Sequence, residues 1–220
     1  MSGGVDLEAL SACLARLPEP RRRGAPQPGS ADPEGRPRGD HELNPELYDP
    51  TLPLRRAAVL VPLVLHAERP SLLLTQRTQH LKHHSGQIAF PGGRQDEGDR
   101  SPEDTALRET FEEVGLPAAT IEVCGRLDTY VTRTGFEVTP VIGLLRPPLA
   151  LALQEEEVEA AFEVPLDFFL DPANRRIDSR LYAGRTRHFY VYPYRDYYIW
   201  GATAGMINNL AEVLGDGVRP

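Results

Sequence analysis

The sequence predicts an α/β fold in which a mixed β-sheet is packed between helices. Three observations lead there. Segments with strand character outnumber helical ones, their order is mixed rather than regularly alternating as in a doubly wound parallel sheet, and no internal repeat recurs at a fixed period. At 220 residues the chain is long enough for one domain with a real core.

Taken in order, VDLEALSACLARL places Val5, Leu7, Leu10, Leu14 and Leu17 at helical spacing, which predicts a short amphipathic helix. From Pro18 to about Asp49 the chain is rich in Pro, Gly, Arg and Asp. Such a segment buries too little apolar surface to offset its ordering entropy, so it reads as a mobile linker or extended arm, and its Arg cluster as a solvated tail. Residues 1–53 are therefore expected to be a short helix plus a flexible arm, and 54–220 the folded domain. Within that domain AAVLVPLVLH and SLLLTQR read as two strands separated by AERP, and GQIAF as another. A helix is predicted from Pro102 to Val114. TIEVCGRLDTYVT and FEVTPVIGLL form a strand pair around RTG, and VEAAFEVPL a strand leading into a short helix at LDFFLD. RHFYVYPYR and YYIWG make a late hairpin whose alternating aromatics read as packing rather than base stacking, and TAGMINNLAEVLG closes as an amphipathic helix ending at Gly215.

Composition narrows the function. A net charge of −8 leaves no general basic field for nucleic acid or an anionic membrane surface, so a polyanionic substrate has to be met by local cations or metal. The longest apolar run, AAVLVPLVL, is about half of what a membrane-spanning helix needs. Cys13 and Cys124 lie far apart in sequence and make no disulfide framework. With no secretory signal pattern at the N-terminus, the expected location is the cytoplasm.

The predicted helix at Pro102 carries the chemistry. Ser101 suits its N-cap, Pro102 its first position, Asp104 a reciprocal capping carboxylate, and Gly115 its left-handed end. Ala106, Leu107, Thr110, Phe111 and Val114 make an apolar stripe. Glu109, Glu112 and Glu113 fall at i, i+3 and i+4, so three like charges share a face at a cost of a few tenths of a kcal/mol each. A divalent cation would turn that repulsion into ligation. Oxygen ligands without a nearby Cys point to Mg²⁺ or Mn²⁺. Arg108 can pin one carboxylate, for instance Glu112 at i+4. In the preceding FPGGRQDEGD, backbone carbonyls of the Gly pair, Gly93 included, can complete the coordination shell and let phosphate approach.

These residues resemble the Nudix box: a Gly, five residues, Glu, seven residues, then REUXEEXGU, where U is apolar. Here the pattern reads Gly93, five residues, Asp99, eight residues and RETFEEVGL from Arg108 to Leu116, with Asp99 for the usual Glu, one extra residue, and Thr110 at the first apolar position. The segment LLLTQRTQHLKHHSGQIAFPGG from Leu72 to Gly93 is similar to the signature that precedes the box in the coenzyme A pyrophosphatase branch, departing at Thr78 and at Lys82 where Arg is usual. The likeness continues through EVTPVIGLL, EEEVEAAFEVPL and WGATAGMINNLA, covering roughly Ala57 to Leu214.

The resemblance implies an α/β/α sandwich that hydrolyses the pyrophosphate of coenzyme A or its thioesters to 3′,5′-adenosine diphosphate and 4′-phosphopantetheine or its acyl form. It implies Glu109 and Glu113 as metal ligands, with Glu112 sharing ligation or activating water and Gly93 contributing its carbonyl. Glu157, from the acidic run QEEEVEAAF, is the expected additional carboxylate, and Arg108 joins Glu112 and Glu157 in the catalytic set. Arg77, Lys82, His84 and Gln87 are expected to contact substrate. His83 reads as a polar loop residue and Phe90 as core packing. Other nucleoside diphosphate derivatives such as ADP-ribose or NADH, and a non-catalytic sensor on the same fold, stay open as alternatives. Homodimers are common in the family, and nothing in the sequence fixes an interface.

Overall fold

The computed structural model describes residues 5, 7–17, 37–80, 86–182 and 184–215. In chain order the elements are α1 (Leu7–Leu14), β1 (Arg38–Gly39), β2 (Arg55–Val64), β3 (Ser71–Arg77), β4 (Ile88–Ala89), β5 (Gly92–Arg94) and α2 (Pro102–Val114). There follow β6 (Ile121–Arg126), β7 (Tyr130–Val131), β8 (Phe136–Leu145), β9 (Val158–Pro165), α3 (Leu166–Leu170), β10 (Arg176–Tyr182), β11 (Arg185–Tyr194), β12 (Tyr197–Trp200) and α4 (Gly201–Leu214). Lys82, His83 and His84 lie outside the described residues. Among the described residues no helix is long and apolar enough to cross a membrane.

Strands β2 and β8 run parallel through the middle of a mixed sheet, in register from Arg55 opposite Phe136 to Val64 opposite Leu145. Antiparallel partners flank them: β3 on β2, β9 on β3, and β6 and β7 on β8. Both middle strands are apolar on both faces because both faces are covered. Ala58, Leu60 and Val64 join Ala106 and Val114 of α2 in one core. Val61 and Leu63, pointing the opposite way, join Leu10, Leu14, Ile207 and Leu210 of α1 and α4 in the other. The expected α/β architecture with a mixed sheet is thus present.

Three details depart from the sequence reading. The stretch read as one strand from Thr120 to Thr132 is two, with a register shift between Val123 and Gly125, and Leu127 turns inward between them to donate its N–H to Pro140 O at 2.9 Å. The late hairpin is a separate three-stranded antiparallel sheet, because RIDSRLY pairs with β11 along its whole length. That strand is exposed at every residue, so no buried face stamped a pattern on it.

The expected N-terminal helix is present, and the third departure lies in the arm after it. Helix α1 buries Leu10 and Leu14, and Cys13 Sγ lies 3.7 Å from the carbonyls of Val213 and Leu214. The stretch after Pro37 is structured too: β1 pairs with β7, and buried Asn44 donates to Asp40 O (2.7 Å) and His188 O (2.8 Å) while accepting from His188 N (2.9 Å). Apolar burial does not hold this segment. Side-chain to backbone hydrogen bonds do, and hydropathy does not register them. Residues 18–36 of the expected arm lie outside the described residues.

Candidate active site

The glutamate face is built by the helix that the sequence delimits to the residue. Ser101 is extended and its side chain accepts from Asp104 N at 3.2 Å, Pro102 occupies the first position, and Gly115 ends the helix at φ 73°. The Asp104 carboxylate reaches back to Arg100 N (3.0 Å), one residue earlier than a capping box requires. The apolar stripe is rotated from its expected position. Phe111 is 56% exposed, and Glu113 takes a place among the buried residues at 5%.

Glu113 is buried because the Gly92–Gly93 strand and Arg77 close over it. Gly92 N donates to Oε2 at 3.3 Å and Arg77 Nη1 to Oε1 at 3.4 Å. Burial pushes its carboxyl up to about 7, against the opposing pull of Arg77 and the Gly92 N–H, with Glu109 and Glu157 adding repulsion. Burial also raises Glu109, opposed by Arg108 and reinforced by the charges of Glu112 and Glu157. Arg77 is therefore an ion-pair partner of the carboxylates, 3.4 Å from Glu113 and 3.9 Å from Glu157.

Gly93 is set against Glu109 by the pairing of β5 with β2, where it lies opposite Ala58. A Cβ at Gly93 would stand 2.5 Å from the Glu109 Cδ and Oε1. The Gly93→Ala variant is expected to fold, since a side-chain end can swing away, but to weaken metal binding about tenfold by displacing that carboxylate. A Mn²⁺ titration beside a thermal melt checks both halves of the prediction.

Glu157 arrives on a loop that also caps α2. Ala152 N and Gln154 N donate to the carbonyls of Val114 (2.9 Å) and Glu113 (3.0 Å), satisfying acceptors that the helix end leaves open. Thr78, the residue standing at the small position of the upstream signature, donates its N–H to Glu157 O (2.9 Å) and its hydroxyl to Glu156 O (3.0 Å). Thr78 thus anchors the loop that carries Glu157, a role its place in the signature does not announce. Its pairing with residues about eighty positions away leaves no local sequence signal.

Arg108 does more than pin Glu112. Nε donates to Asp99 Oδ1 (3.1 Å), Nη1 to Glu109 (3.0 Å) and Glu112 (3.1 Å), and Nη2 to Asp99 Oδ2 (2.9 Å) and Arg94 O (3.1 Å). Every N–H of the guanidinium is engaged by the protein. In this arrangement Arg108 orients Asp99, Glu109 and Glu112. Asp99 also accepts from Asp96 N (2.9 Å) and Thr105 Oγ1 (3.0 Å), and Arg108 above all holds its carboxyl well below the usual range. A lowered folded-state pKa contributes stability that is full above the ordinary value of 3.8 and is lost as the pH falls below it. Urea unfolding at pH 7 and pH 3 should show Asp99→Asn losing less stability on acidification than the unaltered chain.

The structure brings together Glu109, Glu113, Glu157, Gly93 and Arg77, with Glu112 at the rim, its side chain 55% exposed and tied to Arg108. Gln87 stands one step away, its carbonyl accepting Arg77 N at 2.9 Å, and Phe90 is core. Among the described residues no group of three His, Cys, Asp or Glu side chains is drawn into a ready metal cage; Arg77 and Arg108 hold these carboxylates in ion pairs. The donor chemistry nevertheless fits a hard divalent cation: mutually repelling carboxylates, two of them desolvated, beside a glycine backbone that no side chain screens.

Residues 54–183 match the NUDIX domain family, and the chain belongs to it. It is 43% identical over 178 residues, 81% of its own length and 91% of theirs, to proteins of Escherichia coli (strain K12) and Shigella boydii serotype 4 (strain Sb227), each named "Uncharacterized Nudix hydrolase NudL". Among solved structures it is similar to the C. elegans Ap4A hydrolase binary complex, at 23% identity and a TM-score of 0.44 over 50% of this chain and 80% of that one. The protein is accordingly a Nudix hydrolase acting on a nucleoside diphosphate derivative, and such enzymes generally need divalent metal ions.

Proposed function

We propose that the protein hydrolyses the pyrophosphate bond of coenzyme A or its thioesters, giving 3′,5′-adenosine diphosphate and 4′-phosphopantetheine or its acyl form, with Mg²⁺ or Mn²⁺. The observation that carries this reading is the convergence of the signature-like segment on the glutamate face. Arg77 from its LLTQR end and Gly92 from its FPGG end both contact Glu113. The signature-like segment and the carboxylates of α2 are therefore in direct contact.

Bound there, a divalent cation would offset the diphosphate charge and acidify a water. Glu109 and Glu113 present oxygens to hold it, with Arg108 fixing the Glu109 rotamer. Arg77, beside the same carboxylates, offers its guanidinium to a phosphate oxygen. Glu157, at the accessible edge, takes the proton of the attacking water. Glu112 is less suited to that part, since Arg108 occupies its carboxylate. One P–O bond forms to the water oxygen, the bridging P–O bond breaks, and the proton leaves with the departing phosphate. Family membership supports a metal-dependent hydrolase, and the upstream segment supports coenzyme A over other nucleotides.

Purified protein offered coenzyme A, ADP-ribose and NADH in parallel, each with Mg²⁺, Mn²⁺ or chelator, tests the reading. Metal-dependent release of 3′,5′-adenosine diphosphate, with kcat/KM for coenzyme A at least tenfold above the others, is expected. Preference for ADP-ribose or NADH would overturn the substrate assignment, and absence of turnover with all three would favour the sensor alternative.

A further inference from the structure

A cavity of about 400 Å³ lies between the three-stranded sheet, the start of α4 and the β7–β8 turn, and the glutamate-face chemistry does not use it. Aromatic rings and guanidinium groups line it. Arg133 stands 4.1 Å over the ring of Tyr182, and Arg180 4.8 Å over that of Trp200 and 5.8 Å over that of Phe189. Neither Arg133 nor Arg180 has a carboxylate within ion-pairing distance among the described residues. Arg187, a third lining arginine, pairs with Glu46 through Nη1, yet its buried Nε has no hydrogen-bond partner among the described residues. Against these three cations the cavity wall includes one carboxylate, Asp40, already accepting from Tyr130 Oη (2.9 Å) and Arg133 N (2.8 Å). Aromatic rings beside guanidinium groups, of which Arg187 is paired with Glu46 and Arg180 lies near Asp178, describe a site suited to a base and a phosphate.

The cavity wall and the glutamate face, on opposite faces of the sheet, are both tied to the first half of β2. Along β2, Arg55 lies opposite Phe136 and donates to Gly135 O (2.9 Å), placing the Thr132–Thr134 wall, while Ala58 lies opposite Gly93. Those positions are three residues apart, roughly 10 Å along a strand. Gln87 joins the two regions directly, since it lines the cavity and its carbonyl accepts the N–H of Arg77.

We infer that this cavity seats the nucleoside end of the substrate, with the base among Trp200, Phe189 and Tyr182 and a phosphate outside the diphosphate met by Arg133 and Arg180. The inference rests on the coenzyme A reading, whose adenosine carries such an additional 3′-phosphate. The pantetheine end, neutral and flexible, has no use for three guanidinium groups.

Trp200 is the single tryptophan of the chain, so its fluorescence reports on the cavity. Metal-free protein is titrated with 3′,5′-adenosine diphosphate, AMP and inorganic phosphate, by fluorescence and calorimetry, and turnover of coenzyme A is measured separately. The expected result is saturable quenching by 3′,5′-adenosine diphosphate, at least tenfold weaker binding of AMP, and at least tenfold weaker nucleotide binding in Arg180→Ala and in Arg133→Ala. Both side chains are exposed, so these variants should retain the fold, which circular dichroism checks. KM for coenzyme A should rise about tenfold in Arg180→Ala at unchanged kcat. Coenzyme A turnover with Trp200 silent, and nucleotide affinity equal in the two arginine variants, overturns the cavity assignment and leaves the substrate reading standing. Quenching by the nucleotide without coenzyme A turnover does the reverse.

Discussion

Glu113→Gln is expected to cut turnover by about 10²–10³-fold while the fold stays intact. The substitution preserves side-chain volume, and the amide oxygen can still accept from Gly92 N, so the buried surroundings of the residue change little. What disappears is a charged oxygen facing Glu109 and Glu157, the feature on which the proposed cation site rests. Replacing a desolvated carboxylate by a neutral amide also removes a burial cost, so the metal-free variant should melt no lower than the unaltered chain. Steady-state rates with Mg²⁺ and a thermal melt check both statements. Near-normal rates in a folded variant would remove this face from the mechanism.

Arg108→Ala should lower stability by about 3 kcal/mol, since it strips a partly buried carboxylate of its principal partner. At this chain length that corresponds to a fall in Tm of roughly 6–12 °C. The loss centres on Asp99, which receives two of the five guanidinium N–H groups and has further donors that cannot neutralise it. Adding Asp99→Asn should therefore recover part of the loss, a coupling that a double-mutant cycle measures. Turnover should fall as well, because Glu109 and Glu112 lose the donor that orients them. A Tm within about 2 °C of the unaltered chain would show that the clasp contributes little, as exposed ion pairs commonly do.

Helix α2 was legible to its end residues because its signals are local: a Ser-Pro start, a Gly stop and an apolar period between them. Its rotation was not. Phe111 reads as core and Glu113 as surface by hydropathy, and the reverse follows from Gly92 and Arg77 closing over the glutamate, contacts set by strand pairing. Strands β2, β3 and β8 were visible as apolar runs since both faces of the sheet are buried. Strand β10, exposed throughout, carried no such mark. Thr78 and Asn44 do their work through hydrogen bonds to distant backbone, and residue type alone does not announce which partner a hydroxyl or amide finds. Asp99 is marked by its place in the box, while its role as the clasp of Arg108 follows from how the loop before α2 folds back on the helix. Arg77 pairs with Glu113 and Glu157, contacts between strand and loop residues that are far apart in sequence.

The central claim is that the glutamates of α2 hold a divalent cation. Calorimetric titration of metal-stripped protein with Mn²⁺, run beside the Glu109→Gln and Glu113→Gln variants, tests it most directly. Saturable binding by the unaltered chain that weakens at least tenfold in each variant is the predicted result. Equal affinity in all three proteins would contradict the claim, placing any metal elsewhere and leaving the glutamate face without its function.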